Sequence, residues 1–122
     1  MRLQILEYDL TVCKVPNAEH VNFTREFLFF AKTPDELSVV CEKEFTPQNA
    51  SHVEDGWRGL MVVGVLDFGL VGILAKIAAV LAGAGVSIFA VSTYNTDYIL
   101  MKKDRFDEGV AALVAAGYIL HK

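Results

Sequence analysis

The second half of the chain has the clearest hydrophobic pattern. Residues 60–66 are apolar on both alternating faces, which predicts a strand covered on both sides. Residues 70–82 carry large apolar side chains at helical spacing, with alanines beside them, and therefore predict a buried helix that Gly83 and Gly85 end. The alanine surface predicts that a second helix or a partner subunit packs there.

The residues that follow complete one βαββαβ pattern. Tyr94, Asn95, Thr96 and Asp97 have the composition of a hairpin connection. Further elements are predicted on both sides of it: strands at residues 86–93, 98–102 and 118–121, and a helix at 105–116 that Asp104 caps. Two helices over one face of a four-stranded antiparallel sheet give an α+β, ferredoxin-like fold.

The first half of the chain is mostly β in pattern. Strands are predicted at residues 2–15, 27–32 and 37–41, with a proline-containing turn at 33–36. Residues 42–56 are polar and predict a linker. We therefore expect a reduced N-terminal half at residues 1–55 and a complete domain at residues 56–122.

Charge and hydropathy argue against nucleic-acid binding and against a membrane span. The formal net charge is −4 and the basic residues are scattered, so the chain lacks the electrostatic footprint of a nucleic-acid binder. Glu7 and Asp9 interrupt the N-terminal apolar pattern, and no apolar run reaches the roughly 18 residues that a membrane span needs. A cytoplasmic location without membrane contact is expected.

The residues capable of catalysis or metal binding are dispersed. Cys13 and Cys41 lie in apolar strand-like runs, which favours buried reduced thiols. His20, His52 and His121 are far apart in polar or terminal stretches, which favours surface positions. No nucleophile with a base, carboxylate pair or metal set can be assembled, so neither an enzyme nor a cofactor is expected.

The connection between the predicted strand and helix is the best candidate for a ligand site. It reads Asp67-Phe68-Gly69-Leu70-Val71-Gly72, so its glycines permit a tight bend before the first helical turn. Free N–H groups and the positive end of a helix dipole suit a carboxylate. Asp67 has two interpretations: it binds a ligand ammonium group, or it only caps the helix.

The same residues resemble the ACT domain family, and in particular its aspartokinase-like branch with two ACT units. The resemblance is carried by these segments: Leu66-Asp67, Leu70-Val71-Gly72-Ile73-Leu74-Ala75, Leu81-Ala82, Gly85-Val86-Ser87-Ile88, Ser92-Thr93-Tyr94 and Thr96-Asp97-Tyr98-Ile99-Leu100. A weaker match, Asp35-Glu36-Leu37-Ser38-Val39-Val40, makes the first half similar to a reduced ACT unit.

The resemblance implies a regulatory protein that binds an amino acid between two ACT units. It assigns the ligand to two sets of residues: the bend, with Asp67, Phe68, Gly69, Leu70, Val71, Gly72 and Ile73, and a facing strand edge, with Glu36, Leu37, Ser38 and Val39. Many ACT domains have proline before the bend glycine, where this chain has Val71. No cofactor is implied.

Two functions remain open at this stage. One is amino-acid binding, with the ligand between the ACT-like units or at a subunit interface. The other is a ligand-free module for dimerisation or for binding another protein. The doubly apolar strand, the alanine surface and an outer strand with Phe89 and Val91 predict a homodimer or a higher even oligomer.

Overall fold

The structure is a computed structural model that describes residues 1–64 and 71–122. Within these residues, the chain forms seven strands and two α-helices in this order: β1 (Arg2–Val15), β2 (Leu28–Lys32), β3 (Leu37–Glu42), β4 (His52–Val62), α1 (Ile73–Gly83), β5 (Ile88–Ser92), β6 (Asp97–Lys102), α2 (Phe106–Ala115) and β7 (Ile119–His121). Short 3-10 helices, Lys43–Phe45 and Lys103–Arg105, follow β3 and β6.

The chain divides into two compact units. Met1–Glu7 and Arg58–Lys122 form the first, called here the helical unit because it contains α1 and α2. Tyr8–Trp57 forms the second, called the strand unit. The division cuts β1 and β4, so each of these two strands contributes residues to both units.

The helical unit has the predicted α+β, ferredoxin-like arrangement of the ACT fold, with one strand more than expected. Its strand order is β7-β1-β4-β6-β5. The first residues of β1 pair in parallel with β7, Arg2 opposite Ile119, and the Arg2 carbonyl accepts a hydrogen bond from Val63 N–H at 3.0 Å. The prediction of four strands was wrong because the start of β1 was not recognised as part of this sheet.

The core of the helical unit lies between its sheet and its helices. Leu3, Leu60 and Val62 from the strands meet Ile77 and Leu81 of α1 and Leu113 of α2, and all six are fully buried. The alanines of α1 behave differently. Ala75, Ala79 and Ala82 are exposed, so α2 does not cover them, and their contact with a partner subunit stays a prediction.

Both helices end in the same way. Gly85 and Gly117 adopt left-handed backbone conformations, with φ of 73° and 100°. Val86 and Tyr118, each one residue further on, donate to the carbonyls of Leu81 and Leu113 at 2.9 and 3.0 Å. This is the Schellman arrangement, in which glycine satisfies the last carbonyls of a helix and turns the chain back to the sheet.

Some element boundaries differ from the sequence predictions. β4 begins at His52, so the predicted linker is wrong for its last residues, which form an exposed strand without an apolar face. β4 ends at Val62, so the predicted strand is too long by Val63 and Gly64, which form a bend, while its last residues, Val65 and Leu66, lie outside the described residues. Asp104 does not cap α2, because Arg105 is the N-cap residue and makes no side-chain capping bond.

The strand unit repeats the strand order of a ferredoxin-like sheet without its helices. The order is β2-β3-β1-β4, and β3 is antiparallel to both β2 and β1. The structure describes every residue of this unit and contains no α-helix in it. One face of its sheet has a core cluster of Cys13, Val15, Val39 and Cys41, over which the loops place Val21. Leu10 and Val40 lie on the opposite face and are buried too.

Within the described residues, neither α1 nor α2 has the length and apolar character to cross a membrane. The predicted cytoplasmic location stays a prediction.

Gly109 sets the distance between α2 and the rest of the helical core. A Cβ atom at this buried position would fall on the Met101 sulfur and lie 3.2 Å from a Leu81 methyl carbon. Overpacking of this kind costs about 1–3 kcal/mol, so Gly109→Ala should lower the free energy of unfolding by that amount in urea denaturation.

Gly83→Ala is the matched control for Gly109→Ala. Gly83 is the last residue of α1, and a Cβ there would meet nothing within 4 Å. Replacing glycine by alanine in an open helical position stabilises a protein by about 0.5–1 kcal/mol. Equal stability of the two variants would contradict the close packing at Gly109.

Candidate functional site

The described part of the predicted bend leads directly into α1. Gly72 is the N-cap residue of this helix and has a left-handed backbone, with φ of 81° and ψ of 2°. Its carbonyl accepts the first helical hydrogen bond, from Lys76 N–H at 2.9 Å. No side chain caps the helix, so the N–H groups of the first turn lack a side-chain partner among the described residues.

The residues on both sides of Gly72 differ in exposure. Val71, at the position where many ACT domains have proline, is 87% exposed, whereas Ile73 is partly buried against the core. Asp67, Phe68, Gly69 and Leu70 lie outside the described residues. The two interpretations of Asp67, as a ligand for an ammonium group and as a helix cap, both stay predictions.

The residues predicted to face the bend lie in the strand unit, in and just before β3. Glu36 is exposed at the end of the turn, and Leu37 is partly buried. Ser38 points to the opposite face from Leu37, while Val39 is fully buried in the core. β3 is paired on both sides, so its backbone is not a free strand edge. The role of these four residues in ligand binding stays a prediction.

Glu36 and Leu37 do line a cavity, together with residues of their own unit. It is a cleft of 660 Å³ between the end of β1 and the β2–β3 hairpin. Its lining includes charged residues of both signs and apolar ones: Lys14, Val15, Pro16, Asn17, Ala18, Phe30, Lys32, Thr33, Pro34, Asp35, Glu36 and Leu37. A volume of this size is typical of small-molecule sites.

A smaller cavity lies beside the start of α1. Its volume is 280 Å³, and Ile73 and Lys76 line it together with Met1, Ala116, Gly117 and Tyr118. All six residues belong to the helical unit. Lys76 is the only charged residue of α1, so the first turn of this helix carries one side-chain cation in addition to its dipole.

The two cysteines are free and buried, as the sequence predicted. Cys13 is 4% exposed and Cys41 is 1% exposed, and they lie on neighbouring strands on the same face of the strand unit. A hydrogen bond between the two thiols and the burial of Cys41 raise the pKa of Cys41 above its ordinary value. Cys41 is therefore protonated at neutral pH and a poor nucleophile.

Burial of both thiols gives a test of the strand-unit core. In the native protein at pH 8, we expect an aromatic disulfide reagent to label Cys13 and Cys41 at least about 100-fold more slowly than in denaturant, because labelling must wait for opening of the core. Rapid labelling of either thiol in the native protein would contradict the packing described here.

Metal-binding residues are not brought together in the described structure. Residues 1–64 and 71–122 contain no group of three or more His, Cys, Asp or Glu side chains placed to hold a metal ion. His20, His52 and His121 are all exposed, as predicted.

Comparison with known families decides the identity of the fold. A family model described as an ACT domain matches residues 52–115, which is more than half of the chain. The chain belongs to the ACT domain family. ACT domains are regulatory modules that bind amino acids and form oligomers. No curated protein matches the sequence.

Solved structures extend the similarity of this ACT protein to both units. Protein Atu0741 from Agobacterium tumefaciens is 28% identical with a TM-score of 0.86, covering 98% of this chain and 90% of that chain. Protein VC0802 from Vibrio cholerae, of unknown function and described as a possible transport protein, is 22% identical with a TM-score of 0.73, covering 93% and 88%.

An aspartate kinase subunit shares the same fold. The ligand-free regulatory subunit from Thermus thermophilus has a TM-score of 0.67 at 10% identity, covering 94% of this chain and 96% of that chain. The predicted resemblance to the aspartokinase-like branch of the ACT family is confirmed.

The sequence analysis predicted both hairpin turns but missed that they have the same structure, one in each unit. Thr33 and Thr93 donate their N–H groups to the carbonyls of Glu36 and Thr96, at 3.0 and 2.9 Å. Each of these turns leads into a six-residue strand and then a 3-10 helix. The repetition could have been recognised in the sequence, because a threonine is the first residue of both turns, Thr33 in one half of the chain and Thr93 in the other.

Proposed function

We propose that this ACT protein is a regulatory protein that binds an amino acid and has no catalytic activity of its own. The ligand is held between two ACT-like units or at a subunit interface, by the bend residues 67–73 and by residues 36–39. The binding changes the interaction of the protein with a target protein. The proposed location is the cytoplasm.

The start of α1 is the observation that carries this proposal. Gly72 has a left-handed backbone, and no described residue comes within 4 Å of the position that a Cβ atom would take. Glycine is therefore favoured here because of the left-handed backbone conformation, and not because a side chain would lack space. A helix start that no described side chain caps has backbone donors suited to an anion, which supports the carboxylate of an amino acid as the ligand group.

A second candidate function is a ligand-free interaction module. It is favoured by the surface of the helical unit, where Ala75, Ala79 and Ala82 are exposed on α1. β5 lies at the end of the strand order in the same unit. Both features suit a flat contact with another protein chain. This candidate predicts that no amino acid stabilises the protein.

Substitution of Gly72 tests the proposed site. An amino acid at about 100 times its dissociation constant should stabilise the wild-type protein by roughly 2.7 kcal/mol. Gly72→Ala forces a side chain into a left-handed conformation, which costs about 1–2 kcal/mol and displaces the donors at the helix start. We expect thermal-shift measurements on this variant to show much weaker stabilisation by the same amino acid.

Gly85→Ala is the control for Gly72→Ala. Gly85 lies beyond the other end of α1, has φ of 73°, and would bring its Cβ no closer than 3.8 Å to a neighbour. The control should lose similar intrinsic stability but keep the full response to the ligand. If both variants respond like the wild type, the assignment of the ligand to the bend is wrong.

Assembly is a separate prediction. We expect a homodimer or a higher even oligomer, because the exposed alanines of α1 form a surface with little side-chain entropy to lose on contact. Light scattering at micromolar concentration should give at least twice the mass of 13.4 kDa. Replacing Ala79 by glutamate should shift the distribution to the monomer. A wild-type monomer would contradict this prediction.

A further inference from the structure

We propose that the cleft of the strand unit is a ligand site of its own, for an amino acid with an apolar side chain. This goes beyond the proposed function, because the cleft uses no residue of the bend at 67–73. It shares with the first proposal only Glu36 and Leu37. The two sites can therefore be tested separately.

The cleft exists because one sheet face has no helical cover. Both units have ferredoxin-like β-sheets, but only the helical unit has helices over its core face. In the strand unit, loops take their place and bring Ala18, Val21 and Ala50 onto part of the face. The end of the face near the β2–β3 hairpin is left open as the cleft.

The floor of the cleft is apolar. Val15 of β1 lies opposite Leu37 of β3, and these two side chains share one face of the sheet. Phe30 of β2 lies on the same face, opposite Val39, and is partly buried against the same core. An apolar side chain of a ligand would remain out of water against these residues.

Two lysines line the cleft, Lys14 and Lys32, and Lys32 lies at the end of the apolar floor. Lys32 lies opposite Leu37 in the same row as Val15, so its side chain starts from the same face as the apolar residues. Lys32 is exposed and makes no ion pair or side-chain hydrogen bond with another described residue. A lysine in this position is available for a ligand carboxylate.

Two carboxylates lie beside the cation, on a turn of fixed shape. Asp35 and Glu36 donate their N–H groups to the Thr33 hydroxyl oxygen, both at 3.2 Å. Thr33 in turn donates its N–H to the Glu36 carbonyl at 3.0 Å. Neither carboxylate has a partner among the described residues, so both are available for a ligand ammonium group.

These charges select the ligand class. A dicarboxylate would place a negative charge beside Asp35 and Glu36, which would repel it. A diamine would place a positive charge beside Lys32 and would be repelled there. A zwitterion satisfies both signs, and the floor of Val15, Phe30 and Leu37 adds the preference for an apolar side chain. An apolar amino acid meets all three requirements.

The experiment is an NMR titration of the amides of the whole chain with L-leucine. We expect the shifted signals to come from residues 14–18 and 30–37. N-acetyl-L-leucine lacks the ammonium group and L-leucinamide lacks the carboxylate, so both should bind at least about 10-fold more weakly. Equal binding of leucine and of both analogues would overturn the proposal.

Two lysine variants sharpen the test. Lys32→Ala should weaken leucine binding about 10-fold or more, and Lys32→Arg should keep most of it. Lys43→Ala is the matched control, since Lys43 is also exposed in the strand unit and lies outside the cleft. If Lys32→Ala binds leucine as tightly as Lys43→Ala, the cleft is not the site.

The titration separates this inference from the proposed function. Gly72→Ala should leave leucine binding to the cleft unchanged, because Gly72 is not part of the cleft. Leucine shifts confined to residues 71–76 would overturn the cleft site while supporting the bend. Absence of leucine binding would also overturn it, and the bend would then be judged by the response of the Gly72 variant to the other amino acids.

Discussion

The fold of this protein depends on how the core face of each β-sheet is covered. A sheet with apolar side chains on one face must bury them, and helices are the usual cover in an α+β fold. In the helical unit, α2 comes close to Met101 and Leu81 because Gly109 has no side chain. The strand unit has loops instead, which place Ala18, Val21 and Ala50 on the face and Phe23 against Phe30.

The difference in cover has consequences for where ligands can bind. A packed helix fills the space above the sheet, so a ligand can reach backbone groups only at the helix ends. The start of α1 at Gly72 is such an end. Loops fill the space incompletely, and the cleft beside the β2–β3 hairpin is what they leave. One chain therefore presents two kinds of candidate site, the first built from backbone donors and the second from charged side chains around an apolar floor.

Much of the fold followed from the sequence because the pattern in the helical unit is strong. The helix at 70–82, the hairpin around Asn95 and the ACT resemblance were all recoverable from spacing and glycine positions. The fifth strand of the helical unit, the start of β1, could not be predicted in this way. Its pairing of Arg2 with Ile119 joins the two ends of the chain, and local periodicity carries no information about such pairs. The start of β4 was missed because its first residues are polar and exposed.

The candidate sites were less predictable than the fold. Glycines in the bend pointed to Gly72, but the cleft has no sequence motif. It arises because β-pairing places Lys32, Leu37 and Val15 in one row and because residues 16–27 form no helix. A missing helix can be recognised in a sequence, whereas the cavity that it leaves depends on the path of the loops.

The central claim is that this ACT protein binds an amino acid. Isothermal titration calorimetry of the folded protein against each of the twenty amino acids tests it most directly. The account predicts saturable heat for at least one of them. Folded protein that gives no heat of binding with any of the twenty would contradict the account.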